Sequence, residues 1–133
     1  ADVQRIIKYE HAMIASDGLP HDHHPHPRLW GTFPRVLGHY SRDLNLISLE
    51  DAVHRMSGKP ASVFGLTGRG EIKEGNFADL VVFDPATIID TANFDDPIKP
   101  AAGIDAVYVN GRAVWHNGAA TDARPGVALR RAA

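Results

Sequence analysis

Apolar positions recur at helical spacing in the first half of the chain. Residues 3–7 carry three apolar side chains on one helical face, which predicts a helix at the start of the sequence. A second helix is predicted after Ser48, because S-x-x-D is a capping pattern in which Asp51 reaches back to the helix start. Gly58 is expected to end this helix. Its apolar stripe is formed by Leu49, Ala52, Val53 and Met56.

Shorter signals lie on either side of that helix. The apolar run Ala12–Ala15 closes with a glycine two residues later, which favours a buried strand that ends in a turn at residues 16–18. Residues 19–34 contain four prolines and four histidines and are predicted to be irregular. A short helix is predicted for residues 33–40. Pro60 suits the first position of a further helical turn that runs to Phe64.

Strand and turn signals replace the helical ones from about Gly68. Residues 71–76 are predicted to form a strand and a turn, and residues 79–83 a buried strand. Asn110–Gly111 lies between two β-prone runs and is a strong hairpin signal, because both turn positions need positive φ. Two more segments are predicted to be irregular: the Pro-rich loop at 90–103 and a frayed tail at 130–133.

Composition narrows the possible functions. A chain of 133 residues with 44% hydrophobic residues can build one core, and 14 Lys+Arg against 16 Asp+Glu give a net charge of −2. This balance provides no basic field for nucleic acid or an anionic membrane. The sequence has no run of about 18 apolar residues and no signal peptide. It has no cysteine for disulfides or zinc. These features predict a soluble, cytoplasmic protein.

Asp17 is the first candidate for chemistry. It stands at the end of a predicted buried strand and before a glycine, which is where an α/β barrel places catalytic groups. Ser-Asp-Gly is also typical of a turn in which the aspartate bonds to its own backbone. These three residues alone favour the turn.

A histidine-rich tract and an arginine follow. Residues 21–26 contain four imidazoles, which can bind zinc or nickel. The neighbouring prolines keep the chain extended, so the side chains diverge, and we expect an exposed loop that binds metal only adventitiously. Arg28 ends the tract beside Trp30. It is suited to two-point binding of a carboxylate, or it is an ordinary surface arginine that packs on the indole.

Two stretches resemble a known family. Ile14–His21 together with His26–Gly38, which includes His-Pro-Arg-Leu-Trp-Gly-Thr-Phe-Pro-Arg, is similar to the catalytic C-terminal stretch of the D-aminoacylases. These enzymes are the N-acyl-D-amino-acid deacylases of the amidohydrolase superfamily. Gly70–Pro85 resembles the return to the β-sandwich domain in many amidohydrolases, and it identifies only the superfamily.

The resemblance implies an α+β fold and a hydrolytic function. Residues 1–67 would be the last strand and closing helices of a TIM-like (β/α)₈ barrel, and residues 68–133 a small, composite β-sandwich-type domain. Asp17 would contact the catalytic zinc and carry a proton from the metal-bound water to the leaving amine. Arg28 would hold the α-carboxylate of an N-acyl-D-amino acid.

The same resemblance implies that partners are missing. The family's other zinc ligands lie on earlier barrel strands, whereas a zinc site needs about three protein ligands. We therefore expect a C-terminal portion of the enzyme that lacks its N-terminal barrel, is inactive alone and binds no zinc stably. Two alternatives stay open: a cyclic amidase of the hydantoinase or dihydroorotase type, and a non-catalytic β module that self-associates through exposed strand edges.

Overall fold

The computed structural model describes residues 2–130, so the predicted fraying beyond residue 130 lies outside the described residues. Within this range, helices precede a four-stranded sheet. No helix there has both the length and the apolar character that a membrane crossing needs. The helices are α1 (Asp2–Ile7), α2 (Arg28–Arg35), α3 (Leu49–Met56) and α4 (Gly58–Phe64), with a π-helical segment (Val36–Asp43) after α2. The strands are β1 (Leu80–Phe83), β2 (Ile104–Val109), β3 (Arg112–His116) and β4 (Ala119–Ala120).

The predicted helices α1 and α3 are confirmed. The Ser48 Oγ accepts a hydrogen bond from the Asp51 backbone nitrogen at 3.1 Å, which caps α3 as expected. The prediction that the Asp51 side chain reaches back to the helix start is wrong, because its carboxylate pairs with Arg55 instead. The predicted end of α3 at Gly58 is wrong, because α3 ends at Met56 and Gly58 starts the next helix. Pro60 is therefore the third residue of α4 rather than its first.

The helix predicted for residues 33–40 is longer than expected. It begins at Arg28, behind Pro27 at the N-cap, and continues through the π-helical segment, so the irregular structure predicted up to residue 34 is wrong for its last seven residues. Pro34 lies buried inside α2. Proline has no backbone N–H for the helical ladder, and Pro34 was one of the four prolines for which residues 19–34 were predicted to be irregular.

Two predicted strands are absent from the described residues. Residues 12–15 are irregular, and the Ile14 nitrogen donates to the Arg55 carbonyl oxygen at 3.1 Å instead of joining a ladder. A strand needs a neighbouring strand, and residues 2–130 place none beside this segment. Residues 71–76 form a turn, which Asn76 closes by donating from Nδ2 to the Glu71 carbonyl oxygen at 3.1 Å.

The predicted hairpin is confirmed. In the antiparallel sheet, with strand order β1-β2-β3-β4, Val109 pairs with Arg112 around the turn. Asn110 and Gly111 both have positive φ, 48° and 76°, as the turn requires. The predicted burial of residues 79–83 is wrong at Val81 and Val82, which are half exposed. They lie on an edge strand, and the described residues do not cover their side chains.

A polar network holds this hairpin turn. The Asp79 Oδ1 accepts a hydrogen bond from the Asn110 nitrogen at 2.8 Å, and Arg69 pairs with the same carboxylate and donates to the Asn110 Oδ1. Burial raises the pKa of the Asp79 carboxyl, but the hydrogen bonds from Asn110 and Arg69 outweigh burial and lower it overall. The sequence signal at Asn110–Gly111 is therefore reinforced by partners that are distant along the chain.

One hydrophobic core joins the helices to the sheet. Ile88, which follows β1, is 1% exposed and packs among residues of the helical half. Gly38 lies so close that a Cβ there would overlap the Ile88 carbonyl oxygen. The division of the chain at residue 67 stays a prediction. The buried cluster consists of Val36, Leu37, Ile47, Ala52 and Ile88, with Phe83 and Ile104 packed against it.

Candidate active site

Asp17 occupies a constrained backbone position with an open side chain. Its φ is 48°, in the left-handed region, which aspartate tolerates better than most residues. The side chain is 79% exposed. The turn interpretation gave this carboxylate a local backbone partner, but the next backbone N–H, that of Gly18, donates to the Ser16 Oγ at 3.3 Å. The Asp17 carboxylate is therefore available for other partners.

The structure brings the two predicted site residues together. Arg28, the first residue of α2, places its Nη2 2.8 Å from the Asp17 Oδ2. Its Nε donates to the Asp17 carbonyl oxygen at 2.9 Å. The arginine therefore binds one residue at both its side chain and its main chain.

Close backbone packing supports this pair. A Cβ added to Gly18 would lie 2.6 Å from the Leu29 Cδ1 and 2.9 Å from the Leu29 Cα. These distances exclude a larger side chain without movement of the backbone. Residues 17–18 and 28–29 consequently lie side by side, and the intervening residues form a loop whose two ends meet.

The histidine tract forms part of this loop, and its imidazoles have separate partners. The His24 Nε2 donates to the Phe94 carbonyl oxygen at 2.8 Å. The His26 Nδ1 accepts from the Arg28 backbone nitrogen at 3.0 Å, and its ring meets the Phe94 ring edge-on at 5.0 Å. Residues 2–130 contain no group of three or more His, Cys, Asp or Glu side chains that could hold a metal ion.

Sequence reasoning missed the contacts that the histidine loop and α2 make with a loop far along the chain. Phe94 lies 70 positions after His24, and no local pattern connects them. Arg35 lies about two turns after Arg28 on α2. It binds the Asp90 Oδ2 at 3.1 Å and links the same helix to the loop that carries Phe94. The available signal for Arg35 was its helical spacing from Arg28, but charged residues at this spacing are equally typical of a solvated helix face.

Arg55 was also missed. Its side chain is 6% exposed, and its Nη1 donates to the carbonyl oxygens of Ile7 at 2.8 Å and Tyr9 at 2.6 Å. Its Nε and Nη2 bind the Asp51 carboxylate at 2.9 and 2.6 Å. Arg55 thereby fixes the segment that leads from α1 towards Asp17.

The pair of Asp17 and Arg28 offers two chemical capabilities. An exposed carboxylate can accept and return a proton. A guanidinium has five N–H donors and can bind a second carboxylate while it holds the first. Among residues 2–130, the Arg28 Nη1 has no hydrogen-bond acceptor, so this side of the guanidinium is open to a ligand.

Comparison with known proteins finds relatives that match most of this chain. A model described as the amidohydrolase family matches residues 2–115. The D-aminoacylase of Alcaligenes xylosoxydans xylosoxydans is 61% identical over 132 residues, which are 99% of this chain and 27% of that protein. A dihydroorotase of Archaeoglobus fulgidus is 34% identical over 62% of this chain and 22% of its own length.

Solved structures give the same result. A crystal structure of D-aminoacylase matches with a TM-score of 0.90 and 61% identity, over 92% of this chain and 26% of that one. An N-acyl-D-glutamate deacylase from Bordetella bronchiseptica matches with a TM-score of 0.90 and 50% identity, over 97% of this chain and 27% of that one. That structure contains zinc and a phosphonate inhibitor that mimics the tetrahedral intermediate. The chain spans about a quarter of the length of these relatives.

Proposed function

This chain belongs to the amidohydrolase family, and we propose that the protein containing it hydrolyses N-acyl-D-amino acids to a carboxylate and a D-amino acid. The similarity to D-aminoacylase, which extends along nearly the whole chain, carries the proposal. The similarity to a dihydroorotase is weaker and shorter, so the cyclic amidase is the second candidate.

Asp17 is the proposed proton carrier. Water must lose a proton as its oxygen attacks the amide carbon, and the departing amine must gain one as the C–N bond breaks. A single carboxylate that accepts the first proton at an Oδ atom and returns it to the amine nitrogen balances the reaction. The exposure of the Asp17 side chain supports this role, since substrate and water can both reach it.

Arg28 is the proposed contact for the substrate. The α-carboxylate of an N-acyl-amino acid is planar, and a guanidinium matches it with two parallel N–H donors. The open Nη1 of Arg28 and its position beside Asp17 support this assignment. A carboxylate bound there would place the scissile amide close to Asp17.

Zinc is present in the N-acyl-D-glutamate deacylase structure, and zinc hydrolases activate water with the metal. A catalytic zinc site takes about three protein ligands. The described residues do not fit such a site by themselves, because Asp17 has no second and third ligand near it in residues 2–130. We propose that Asp17 contributes one ligand and that the others come from sequence outside this chain.

We propose the barrel arrangement on the same basis. Residues 12–17 would pair with strands outside this chain and become the last strand of a (β/α)₈ barrel, with Asp17 at its catalytic end. The half-exposed Val81 and Val82 on the edge strand β1 support a sheet that is completed by further chain. The predictions of a cytoplasmic location, of no nucleic-acid or membrane partner, and of self-association through strand edges stay predictions.

The test uses the full-length protein encoded by the gene that contains this chain. We expect the zinc-loaded protein to release amine from N-acetyl-D-amino acids and not from their L-enantiomers. Asp17→Asn keeps the size of the side chain but removes the proton acceptor, so kcat should fall by about 100- to 10,000-fold.

Matched measurements separate the candidates. Asp22→Asn, an exposed aspartate in the same loop, is the control and should retain full activity. Hydrolysis of dihydroorotate or hydantoin in place of the linear amides would contradict the deacylase proposal and favour the cyclic amidase. Full activity of Asp17→Asn on N-acetyl-D-amino acids would disprove the role of this carboxylate.

A further inference from the structure

Arg28 holds Asp17 at two chemically different atoms. The donors are Nε, which binds the main-chain oxygen, and Nη2, which binds Oδ2 of the carboxylate. These two N–H groups are parallel on one edge of the rigid guanidinium plane. Their geometry therefore couples the backbone of Asp17 to the orientation of its side chain.

The backbone of Asp17 needs such support. A φ of 48° is uncommon for a residue other than glycine, and such residues persist where their surroundings hold them in place. The side chain is 79% exposed, so packing does not select its rotamer. Within residues 2–130, the Arg28 guanidinium is the group that restrains both features.

The backbone of Arg28 is held by contacts that do not involve Asp17. It opens α2, where its backbone nitrogen donates to the His26 Nδ1 and its carbonyl oxygen accepts from the Thr32 Oγ1 at 2.8 Å. The contact between Gly18 and Leu29 sets the separation of the two segments. A guanidinium carried on a held backbone can therefore orient the exposed carboxylate of Asp17.

Arg28 also retains donors for a second task. The pair of N–H groups formed by Nη1 and the outer hydrogen of Nη2 lies on a different edge of the guanidinium from the pair that binds Asp17. A substrate carboxylate can therefore bind at this edge without displacing Asp17.

From this geometry we propose that Arg28 is a positioning residue for Asp17, in addition to the substrate contact in the proposed function, on which this inference rests. It holds the carboxylate in the orientation for proton transfer whether or not the substrate has a carboxylate of its own. A residue that only captured the substrate would affect KM for carboxylate substrates and little else.

The experiment compares two substrates in the full-length, zinc-loaded protein: the preferred N-acetyl-D-amino acid and its carboxamide, which lacks the α-carboxylate. Arg28→Ala should lower kcat on the carboxamide by about 10- to 100-fold, since a displacement of about 1 Å in a catalytic group costs this much. Arg28→Lys keeps the cation but cannot bind the carbonyl oxygen and Oδ2 of Asp17 at once. Compared with Arg28→Ala, it should therefore have a lower KM for the acid but the same reduced kcat on the carboxamide.

Arg35→Ala is the matched control. It removes a cation from the same helix and breaks an ion pair of similar length, but it does not touch Asp17. It should leave kcat on both substrates unchanged. A loss of the same size in Arg35→Ala and Arg28→Ala would overturn the positioning role, because it would trace the effect to the helix or to its charge.

A crystal structure of metal-free Arg28→Ala, compared with that of the metal-free unaltered protein, gives a second readout that does not depend on activity. The metal is removed because zinc would itself hold Asp17, its proposed ligand. We expect the Asp17 carboxylate to leave its position and φ to leave the left-handed region. An unchanged Asp17, or an Arg28→Ala protein that loses only affinity for the acid substrate, would overturn the inference. Failure of the unaltered protein to hydrolyse either compound would disprove the proposed function, and the structure would then decide the positioning role alone.

Discussion

Two arginines hold the same stretch of chain by the same chemistry in opposite surroundings. Each arginine binds at least one main-chain oxygen in the segment from Ile7 to Asp17. Each also binds one carboxylate, which is Asp51 for Arg55 and Asp17 for Arg28. The Arg55 side chain is 6% exposed, whereas that of Arg28 is 40% exposed. The same guanidinium donors are therefore buried at one end of the segment, in Arg55, and exposed in the candidate site at the other end, in Arg28.

The difference in burial predicts that the Arg55 pair contributes more to stability than the Arg28 pair, which lies in the proposed site. Loss of a buried guanidinium leaves the partly buried carbonyl oxygens that it bound without their donor, which is costly. Loss of an exposed one lets water replace it. The carboxylate that we propose meets the substrate is consequently held by the arginine whose loss should cost the fold less.

The largest effect is expected from Arg55→Met. Methionine fills similar volume but donates no hydrogen bond, so the Ile7 and Tyr9 oxygens lose their partner. The free energy of unfolding should fall by about 3 kcal/mol, at the lower end for a broken buried pair because the Asp51 side chain is 37% exposed and stays hydrated. Urea unfolding of the full chain measures this, and a loss below about 1 kcal/mol would remove the distinction between the two arginines.

An intermediate effect is expected in acid. The hydrogen bond from Arg55 lowers the pKa of the Asp51 carboxyl below its usual 3.8. The stabilisation it brings is therefore complete above this pH and is lost as the pH falls through the lower, folded-state pKa. Unfolding free energies between about pH 5 and pH 2 should decline more steeply in the unaltered chain than in Asp51→Asn. If the free energy of unfolding fell equally with pH in both proteins, the Asp51–Arg55 pair would make no pH-dependent contribution to stability.

The smallest effect is expected from Arg28→Met. Its ion pair with Asp17 is exposed on both sides, and such pairs contribute less than about 1 kcal/mol to the free energy of unfolding. Thermal and urea unfolding of the chain should therefore be close to those of the unaltered chain. A loss that matched Arg55→Met would assign Arg28 to the fold and weaken its place in the site.

Local signals were sufficient where a structure depends on nearby residues. The Ser48 cap and the Asn110–Gly111 turn involve contacts within three residues, and both appear as predicted. The resemblance also assigned Asp17 and Arg28 to one site, and the structure brings them to 2.8 Å. Their catalytic roles stay predictions.

Signals failed where a structure depends on distant partners. Residues 12–15 have the composition of a buried strand, but a strand forms only where a neighbour supplies its ladder. Pro34 is one of the four prolines for which residues 19–34 were predicted to be irregular, yet it lies buried within α2. Arg55 was missed because its partners, Ile7 and Tyr9, lie more than 45 positions away.

The position of Ile88 bears on the order in which this chain folds. Its side chain completes a core whose other buried members lie between residues 36 and 52, and Phe83 and Ile104 pack on the same cluster. The helices therefore complete the burial of their apolar faces only when the chain has been synthesised through about residue 104, and closing such distant contacts is slow. During synthesis on the ribosome, the first half would wait with exposed apolar surface, in the interval when chaperones bind growing chains.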